Sequence, residues 1–594
     1  MHKEMKGTKM EPDNYTRREF LKTVGIGTAA LAAAPEIILA NSSSARSPNV
    51  VLVITDDQGY GDLACHGNPI IQTPNLDTLH AQSIRLTNFH VDPTCAPTRA
   101  ALMTGRYSVR TGVWHTVMGR SFLRKDEVTM ANVLAASGYS NAIFGKWALG
   151  GNYPFRPQDR GFHEVLITGD DGNLQVGDYW GNDRFDDTMF HNGKAEKFMG
   201  YSTDVLFDNA MKFIEAHKDE PFFVYLTTNA AHSPYNIPEK YSNLYRGKEN
   251  VPNAKFYGTI TKIDENVGRL RHKLEEMGLE DNTILIFMTD NGSAEGGFNA
   301  GMRSRKGSEY DGGHRVPFFI RWPAGCLKGG RDIDCLAAHI DVLPTLIELC
   351  RLNRPEAVEF DGMSLAPLLT GKWTSWPDRT VVVDSQRIEH PQKWRKNAIM
   401  TERWRLINGR ELYDMKADPG QKNSVAELYP DVVVELRQAY EQWWSDVSAR
   451  FDEYCEIIIG SEEGNTFPLT CHDWHTPISQ IPWAEHHILD GLQGNGFWAV
   501  KIAREGIYEF SLRRWPAEVN KPINTAIPGG KAINASKARL EISDVDVTKP
   551  IDKDTVAVTF RVWLKAGKTR LQTWFIDDQG SSRGAYYVYV KRLS

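Results

Sequence analysis

The chain has no long apolar run. Its most lipid-like stretch, residues 23–34, is rich in alanine and glycine. It is too short and too interrupted for a stable membrane anchor. Positive charge is not in excess either: 69 Lys and Arg against 75 Asp and Glu leave a net charge of −6. Such a balance gives no footprint for nucleic acid, and it leaves the capture of any anionic ligand to local charges. Cysteine is scarce, with seven in 594 residues. Cys326 with Cys335, and Cys455 with Cys471, are the closest pairs, but spacing does not decide pairing and buried free thiols fit equally well. No internal repeat and no low-complexity segment follows the first 45 residues, which sets aside repeat arrays and disordered tails.

What is present is ordinary for a globular protein: 41% hydrophobic and 24% charged residues. The length allows several domains. Arg17-Arg18-Glu19-Phe20-Leu21-Lys22 precedes the weakly apolar stretch, the pattern of a Tat export signal with a cleavable leader. The expectation is a periplasmic or secreted bacterial protein that meets the Tat machinery and is exported folded.

Residues 48–349 alternate strand and helix patterns. Asn49-Val50-Val51-Leu52-Val53-Ile54-Thr55 is a continuous β-branched run, as a strand covered on both faces requires. Similar runs occur at 142–144, 222–226 and 283–288. Phe256, Ile260, Ile263, Val267, Leu270, Leu274 and Met277 recur at helical spacing and stop at Gly278. Asp341 is expected to cap a further helix with Pro344 in its first turn. These features predict an α/β sandwich around a large, mainly parallel sheet. Beyond about residue 378 the pattern changes. Residues 405–414 read as a hairpin with an Asn-Gly turn, followed by a helix over 431–447. Residues 451–594 turn to period-2 alternation, as at Tyr508, Phe510 and Leu512 and at Val556, Val558, Phe560, Val562 and Leu564. The organisation expected is 1–45 signal and linker, 46–380 catalytic domain, 381–450 a smaller C-terminal subdomain, and 451–594 a β-rich accessory module dispensable for chemistry. Its aromatics read as sandwich core before they read as a glycan platform.

Chemistry concentrates at Cys95-Ala96-Pro97-Thr98-Arg99, continued by Ala100-Ala101-Leu102-Met103-Thr104-Gly105-Arg106. The run predicts a short helix with Pro97 in its first turn and Gly105 just past its end. Its N-terminus is a place for an anion, with Arg99 adding charge one turn on. Four predicted strands end in polar groups: Asp56-Asp57; Gly145-Lys146-Trp147; Ala231-His232-Ser233-Pro234; and Asp290-Asn291-Gly292. In open α/β sheets such ends converge on a ligand crevice. Asp56, Asp57, Asp290 and Asn291 offer oxygen donors only, which suits Ca²⁺ or Mg²⁺ and lacks the His and thiolate ligands typical of zinc.

Cys-x-Pro-Thr-Arg followed by Thr-Gly-Arg resembles the signature of the type I, formylglycine-dependent sulfatases, in the alkaline-phosphatase-like superfamily. Gly145-Lys146-Trp147, His232-Ser233-Pro234 and Arg305-Lys306-Gly307-Ser308 match further motifs of that family. The resemblance spans roughly residues 48–450. It implies hydrolysis of an aryl or carbohydrate sulfate, on a sulfated small molecule or glycan. Cys95 would be converted to formylglycine by a formylglycine-generating enzyme before export. Its hydrate would attack sulfur, and the second hydroxyl would then expel sulfate. The resemblance favours Ca²⁺ and adds Cys95 to the metal set. It makes Lys306 a sulfate-binding lysine, with Lys146 and Arg99 sharing the charge and His232 the candidate acid for the leaving alcohol.

One position departs from the family. Where Gly-Lys-Trp is usually followed by His, this chain has Ala148. That His usually contacts the formylglycine hydroxyls. Turnover, more than binding, is at stake. His115, in Gly112-Val113-Trp114-His115, is a candidate for the substrate pocket without being assigned the missing role. Two other readings stay open: a phosphate or phosphonate monoester hydrolase of the same superfamily, and a weakened sulfate-ester-binding protein.

Overall fold

The structure is a computed structural model that describes residues 46–169, 172, 174–372, 376–477 and 481–594. The twin-arginine segment lies outside the described residues. In chain order the first twelve strands are β1 (Asn49–Thr55), β2 (Ile84–Leu86), β3 (Phe89–His90), β4 (Ser140–Gly145), β5 (Glu164–Ile167), β6 (Thr188–His191), β7 (Lys194–Lys197), β8 (Phe222–Thr227), β9 (Thr283–Thr289), β10 (Phe318–Arg321), β11 (Arg331–Ile333) and β12 (Ala337–Ala338). Ten form one sheet in the order β11-β2-β10-β9-β1-β8-β4-β5-β6-β7, and β3 pairs with β12 apart from it. The central run β9-β1-β8-β4-β5 is parallel throughout. The flanks at β10 and β6-β7 are antiparallel.

β1, β8 and β9 are buried at every residue, which is why their sequences are continuous apolar runs. Alternate residues feed two cores. Val50, Leu52 and Ile54 pack with Ala96, Ala100, Leu343 and Leu346 on one face. Val51 and Val53 pack with Phe207, Ile260, Ile263 and Val267 on the other. The helix Ala254–Glu276 starts at an Asn253 side-chain cap, and Gly278 follows in the left-handed conformation. The helix Val342–Leu349 forms where expected, but Asp341 does not cap it. Its carboxylate turns back instead, accepting the Ala338 N–H and pairing with Arg379.

Strands β13 (Val381–Asp384), β14 (Asn397–Met400), β15 (Trp404–Ile407) and β16 (Glu411–Asp414) make a four-stranded antiparallel sheet. Asn408 and Gly409 both have positive φ in the β15-β16 turn, as a type I′ hairpin demands. The helix Pro430–Val447 covers this sheet through Leu436 and Tyr440.

The C-terminal strands are β17 (Ile457–Ile459), β18 (Leu469–Thr470), β19 (Phe497–Ile502), β20 (Gly506–Arg513), β21 (Ala535–Ile542), β22 (Val545–Pro550), β23 (Val558–Leu564), β24 (Gly567–Asp577), β25 (Ser582–Arg583) and β26 (Tyr587–Arg592). They form two sheets, β17-β19-β24-β21-β22 and β18-β26-β20-β23, with β25 on β24. Tyr508, Phe510, Leu512, Phe560, Trp498 and Trp515 fill the core between them. Val556 falls outside the strand expected for it, which starts at Val558. All seven cysteines are free thiols, so neither of the closest pairs is bridged.

Ser47–Ser594 is a single compact unit. The C-terminal core includes Phe122, Phe155 and Val176 from the first half of the chain. A buried charge cluster joins the two regions. Glu389 takes Arg120 at 3.0 Å and His475 at 3.1 Å on the same carboxylate oxygen. Arg120 also stacks over Trp114 and Tyr454. The expected accessory module is therefore packed into the catalytic body. Removing one partner of a buried pair leaves a charge with no compensation, so Glu389→Ala is expected to destabilise the chain by about 3–5 kcal/mol. Urea unfolding monitored by tryptophan fluorescence checks this, and a loss below ~1 kcal/mol would show that the cluster is not a joint.

Candidate active site

Sheet register brings the polar strand ends together. Thr55 of β1 lies opposite Thr289 of β9, so Asp56 and Asp290 leave the sheet side by side, and the Asp290 N–H donates to the Thr55 carbonyl at 3.1 Å. Gly145 of β4 lies opposite Thr227 of β8, and the Lys146 N–H donates to the Thr227 carbonyl at 2.8 Å. Gly145 has φ 119°, and a Cβ there would sit 1.7 Å from that carbonyl oxygen. Only glycine allows the chain to turn Lys146 inward at this point.

Cys95 opens the helix Cys95–Thr104, whose ten residues are all buried, and Gly105 ends it in the left-handed conformation. Pro97 is its third residue, where a missing N–H costs no intrahelical bond. Arg99, one turn in, is fully buried with Asp290. Nη2 and Nε donate to Asp290 Oδ2 at 2.8 and 3.2 Å, and Nη1 donates to the Lys146 carbonyl at 3.1 Å and to Thr227 Oγ1. Arg99 thus ties helix, β4, β8 and β9 into one piece.

The expected metal residues form the floor. Ligand atoms of Asp56, Cys95 and Asp290 lie within 4.8 Å of one another. Asp57 joins them: its N–H donates to Asp290 Oδ1 at 3.1 Å, and its carboxylate accepts from Asn291 Nδ2 at 3.0 Å. Lys146 pairs with Asp56 at 2.7 Å, Lys306 pairs with Asp57, and His232 Nε2 lies 3.7 Å from Asp57. Asp56 Oδ1 and Asn291 Oδ1 are nonetheless buried with no hydrogen-bond partner among the described residues. A buried oxygen left bare is costly. Two such oxygens beside clustered carboxylates fit a hard divalent cation.

The electrostatics agree with that donor set. Burial alone would push the Asp56 carboxyl up, but the Lys146 ammonium, with His232, Arg99 and Lys306 behind it, holds it well below the usual range. Burial and the Asp56 charge push Asp290 up to about 7 against Arg99. Burial raises the Cys95 thiol, and Lys146 and Lys306 only partly oppose it. Cys95 as a thiol is therefore a poor nucleophile, since the thiolate is the reactive form. Burial lowers His232, with Asp57 opposing. Its Nδ1 donates to the Ser233 carbonyl at 2.7 Å, leaving Nε2 toward the site.

Above this floor opens a cleft of about 300 Å³, lined by Cys95, His115, Lys146, His232 and Lys306 together with Arg387 and Trp483. His115 Nδ1 accepts the Thr116 N–H at 2.7 Å and the Val117 N–H at 3.3 Å. That fixes a neutral ring with its proton on Nε2, and burial with Arg387 and His472 nearby lowers its pKa to about 3. Ala148 is buried, has φ 56°, and does not line the cleft. All ten residues singled out in the sequence converge here. Sequence reasoning missed Arg387, Trp483 and Thr227. None sits in a recognisable motif, and the first two reach the cleft from loops far along the chain.

The sulfatase family model matches residues 48–351, more than half of the chain. The chain belongs to the sulfatase family. It is a sulfatase with the alkaline-phosphatase-like fold, and residues 305–444 match the family described as N-sulphoglucosamine sulphohydrolase, C-terminal. Human arylsulfatase A is 31% identical over 468 residues, covering 68% of this chain and 88% of that protein. The N-acetylgalactosamine-6-O-sulfatase of Bacteroides thetaiotaomicron is 28% identical, covering 68% and 94%. The crystal structure of Ps i-CgsB in complex with k-i-k-neocarrahexaose superposes with a TM-score of 0.62 at 27% identity, covering 69% of this chain and 95% of that one.

The geometry makes this sulfatase sensitive at Gly145. Gly145→Ala is expected to displace Lys146 from the floor, and a shift of about 1 Å at such a position costs on the order of 10²-fold in rate. Circular dichroism would establish that the variant folds, and kcat/KM on a sulfate ester would read the loss. Wild-type activity in the variant would show that the close approach to Thr227 does not set the lysine.

Proposed function

We propose that this sulfatase hydrolyses sulfate esters of carbohydrates through a formylglycine made from Cys95, beside a Ca²⁺ held by Asp56, Asp57, Asp290 and Asn291. The observation that carries the reading is the position of Cys95. It lies on the cleft floor, within reach of the oxygen cage and below two lysines, yet burial disarms its thiol. The carbohydrate half is supported by the relatives, which include an N-acetylgalactosamine-6-O-sulfatase and a neighbour crystallised in complex with k-i-k-neocarrahexaose.

The formylglycine hydrate supplies an oxygen nucleophile in place of the thiol, and the cation, when bound, supplies positive charge against the sulfate oxygens. The chain's own residues do the rest. Lys146 and Lys306 bring two ammonium groups to a cleft that must hold an anion, and Arg99 keeps Asp290 and the cysteine helix in place. His232 holds its Nδ1 proton on Ser233, so Nε2 is the atom that delivers a proton to the leaving alcohol. An anionic ester in the cleft raises its pKa and favours that charged form. His115, neutral with Nε2–H free, donates to the substrate without adding charge. Arg17-Arg18 support export of the folded, modified enzyme to the periplasm or beyond.

Peptide mass spectrometry of active enzyme is expected to show Cys95 without its sulfur, as aldehyde or hydrate, and Cys95→Ala is expected to abolish sulfate release. An unmodified thiol in fully active protein contradicts the proposal.

Ala148 sets a second expectation. The site retains its groups for attack at sulfur but lacks the usual His beside the nucleophile. A burst of alcohol close to one per active site should precede slow turnover. Ala148→His fits the left-handed backbone, which His tolerates better than most residues. Ala148 itself packs in the core and does not line the cleft, so the gain depends on the longer imidazole reaching the nucleophile from there, and if it does the steady-state rate should rise by about 10- to 10⁴-fold. Stopped-flow traces without a burst, and no gain in the variant, would show that another group already performs the step.

A further inference from the structure

Arg387 and Trp483 face the cleft from opposite parts of the chain, and neither is explained by sulfate chemistry. Arg387 is exposed, and among the described residues its guanidinium has no ion pair. Its Nη1 comes within 3.9 Å of where a Gly307 Cβ would sit, beside Lys306. Its backbone has φ 44°, a left-handed conformation that costs an L-residue free energy and is kept where the surroundings impose it. The surroundings are visible. The Arg387 N–H donates to the Trp114 carbonyl at 3.2 Å, and the Trp114 indole donates to the Ile388 carbonyl at 3.1 Å. The same segment carries His115, so the two groups are set together.

Trp483 is held as firmly. The Val176 N–H donates to its carbonyl at 3.1 Å, and Gln175 and Ala484 form a β-bridge. The residue is 41% exposed, and its ring edges against His486 and His487. It also borders a second, mainly apolar hollow with Leu174, Pro234 and Leu489. Both family matches stop at or before residue 444, so the loop that carries Trp483 lies outside the matched residues, whereas Arg387 lies within the second match.

We propose that Arg387 and Trp483 form a recognition site for the alcohol half of the substrate. Trp483 is the platform for the apolar face of a sugar ring, and Arg387 the clamp for a second acidic group on the same or the adjoining sugar. An unpaired guanidinium is suited to bidentate capture of a sulfate or a carboxylate, and a fixed indole gives large contact area at low entropic cost. The substrate class is then a polyanionic saccharide, not an isolated sulfate monoester. This inference rests on the sulfate-ester reading of the same cleft.

The test compares three disaccharides: one with a single sulfate, one with two sulfates, and one with a sulfate and a uronate carboxylate. The wild-type enzyme is expected to prefer one of the two diacidic forms, and which one identifies the acidic group. In Arg387→Ala the ratio of kcat/KM for that form over the monosulfated form should fall by roughly 10- to 100-fold, with partial return in Arg387→Lys. Trp483→Ala should raise KM for all three by about 10-fold, leaving that ratio in place. A ratio unchanged in Arg387→Ala, or no diacidic preference in the wild type, overturns the proposal. Calorimetry with Cys95→Ala full-length chain separates this from the parent reading. If the wild type releases no sulfate but Cys95→Ala still prefers a diacidic ligand through Arg387, the hydrolytic reading fails and the recognition site stands. Equal binding of all three overturns the site.

Discussion

Everything in the catalytic half depends on a cluster of opposite charges buried at the ends of the parallel strands. Arg99 and Asp290 are both fully buried, and Lys146–Asp56 is nearly so. Such pairs repay the cost of leaving water only when geometry is good and every remaining donor and acceptor is met. Here most are met by backbone. Asp290 accepts the Asp57 N–H, and Arg99 donates to the Lys146 carbonyl and Thr227. The two oxygens left without partners among the described residues, on Asp56 and Asn291, lie at the cage. Stability and chemistry therefore share residues, and the floor is rigid because it is also a structural joint.

The charge pattern explains how a protein of net charge −6 can be a sulfatase. Attraction is local: Lys146, Lys306 and Arg387 all reach one cleft. The negative groups of the floor lie beneath it, where Lys146, Arg99 and Lys306 face them. The C-terminal strands carry between them the loop whose Ile481 and Trp483 complete the cleft. They share core with Phe122 and Phe155 and are joined through Glu389, Arg120 and His475. They are thus part of the site's construction, within the one compact unit Ser47–Ser594.

The sequence made the floor legible for a physical reason. Asp56, Lys146 and Asp290 each follow a strand directly, so the strand end and the polar group are read together. Asp56 and Asp290 were legible as carboxylates at strand ends taken together, whereas Lys146 and Cys95 were assigned through the motifs that resemble the sulfatases. The cleft walls were not legible. Arg387 reaches the site through a left-handed loop bond to Trp114, and Trp483 through pairing with residues 175–176. Both are long-range contacts with no periodicity to announce them. The short strands β6 and β7 were missed: β7 is a charged, fully exposed edge strand, Lys194–Lys197, and β6 beside it is only four residues long. Asp341 was read as a cap because it stands before a helix, but Arg379 and the Ala338 N–H compete for its carboxylate. The same kind of local rule that predicted the helix at Cys95 failed there because tertiary partners took the side chain.

The most direct test of this account is whether a divalent cation completes the buried cage. Thermal unfolding of the full-length enzyme should be followed with and without Ca²⁺, alongside Asp290→Asn. Binding to the folded state alone adds about 2.7 kcal/mol at a hundredfold excess over Kd, so the unfolding midpoint of the wild type should rise with Ca²⁺, with one ion bound per chain. The variant should show little or no rise. No shift in the wild type with Ca²⁺ or Mg²⁺, or an equal shift in both proteins, would contradict the cage.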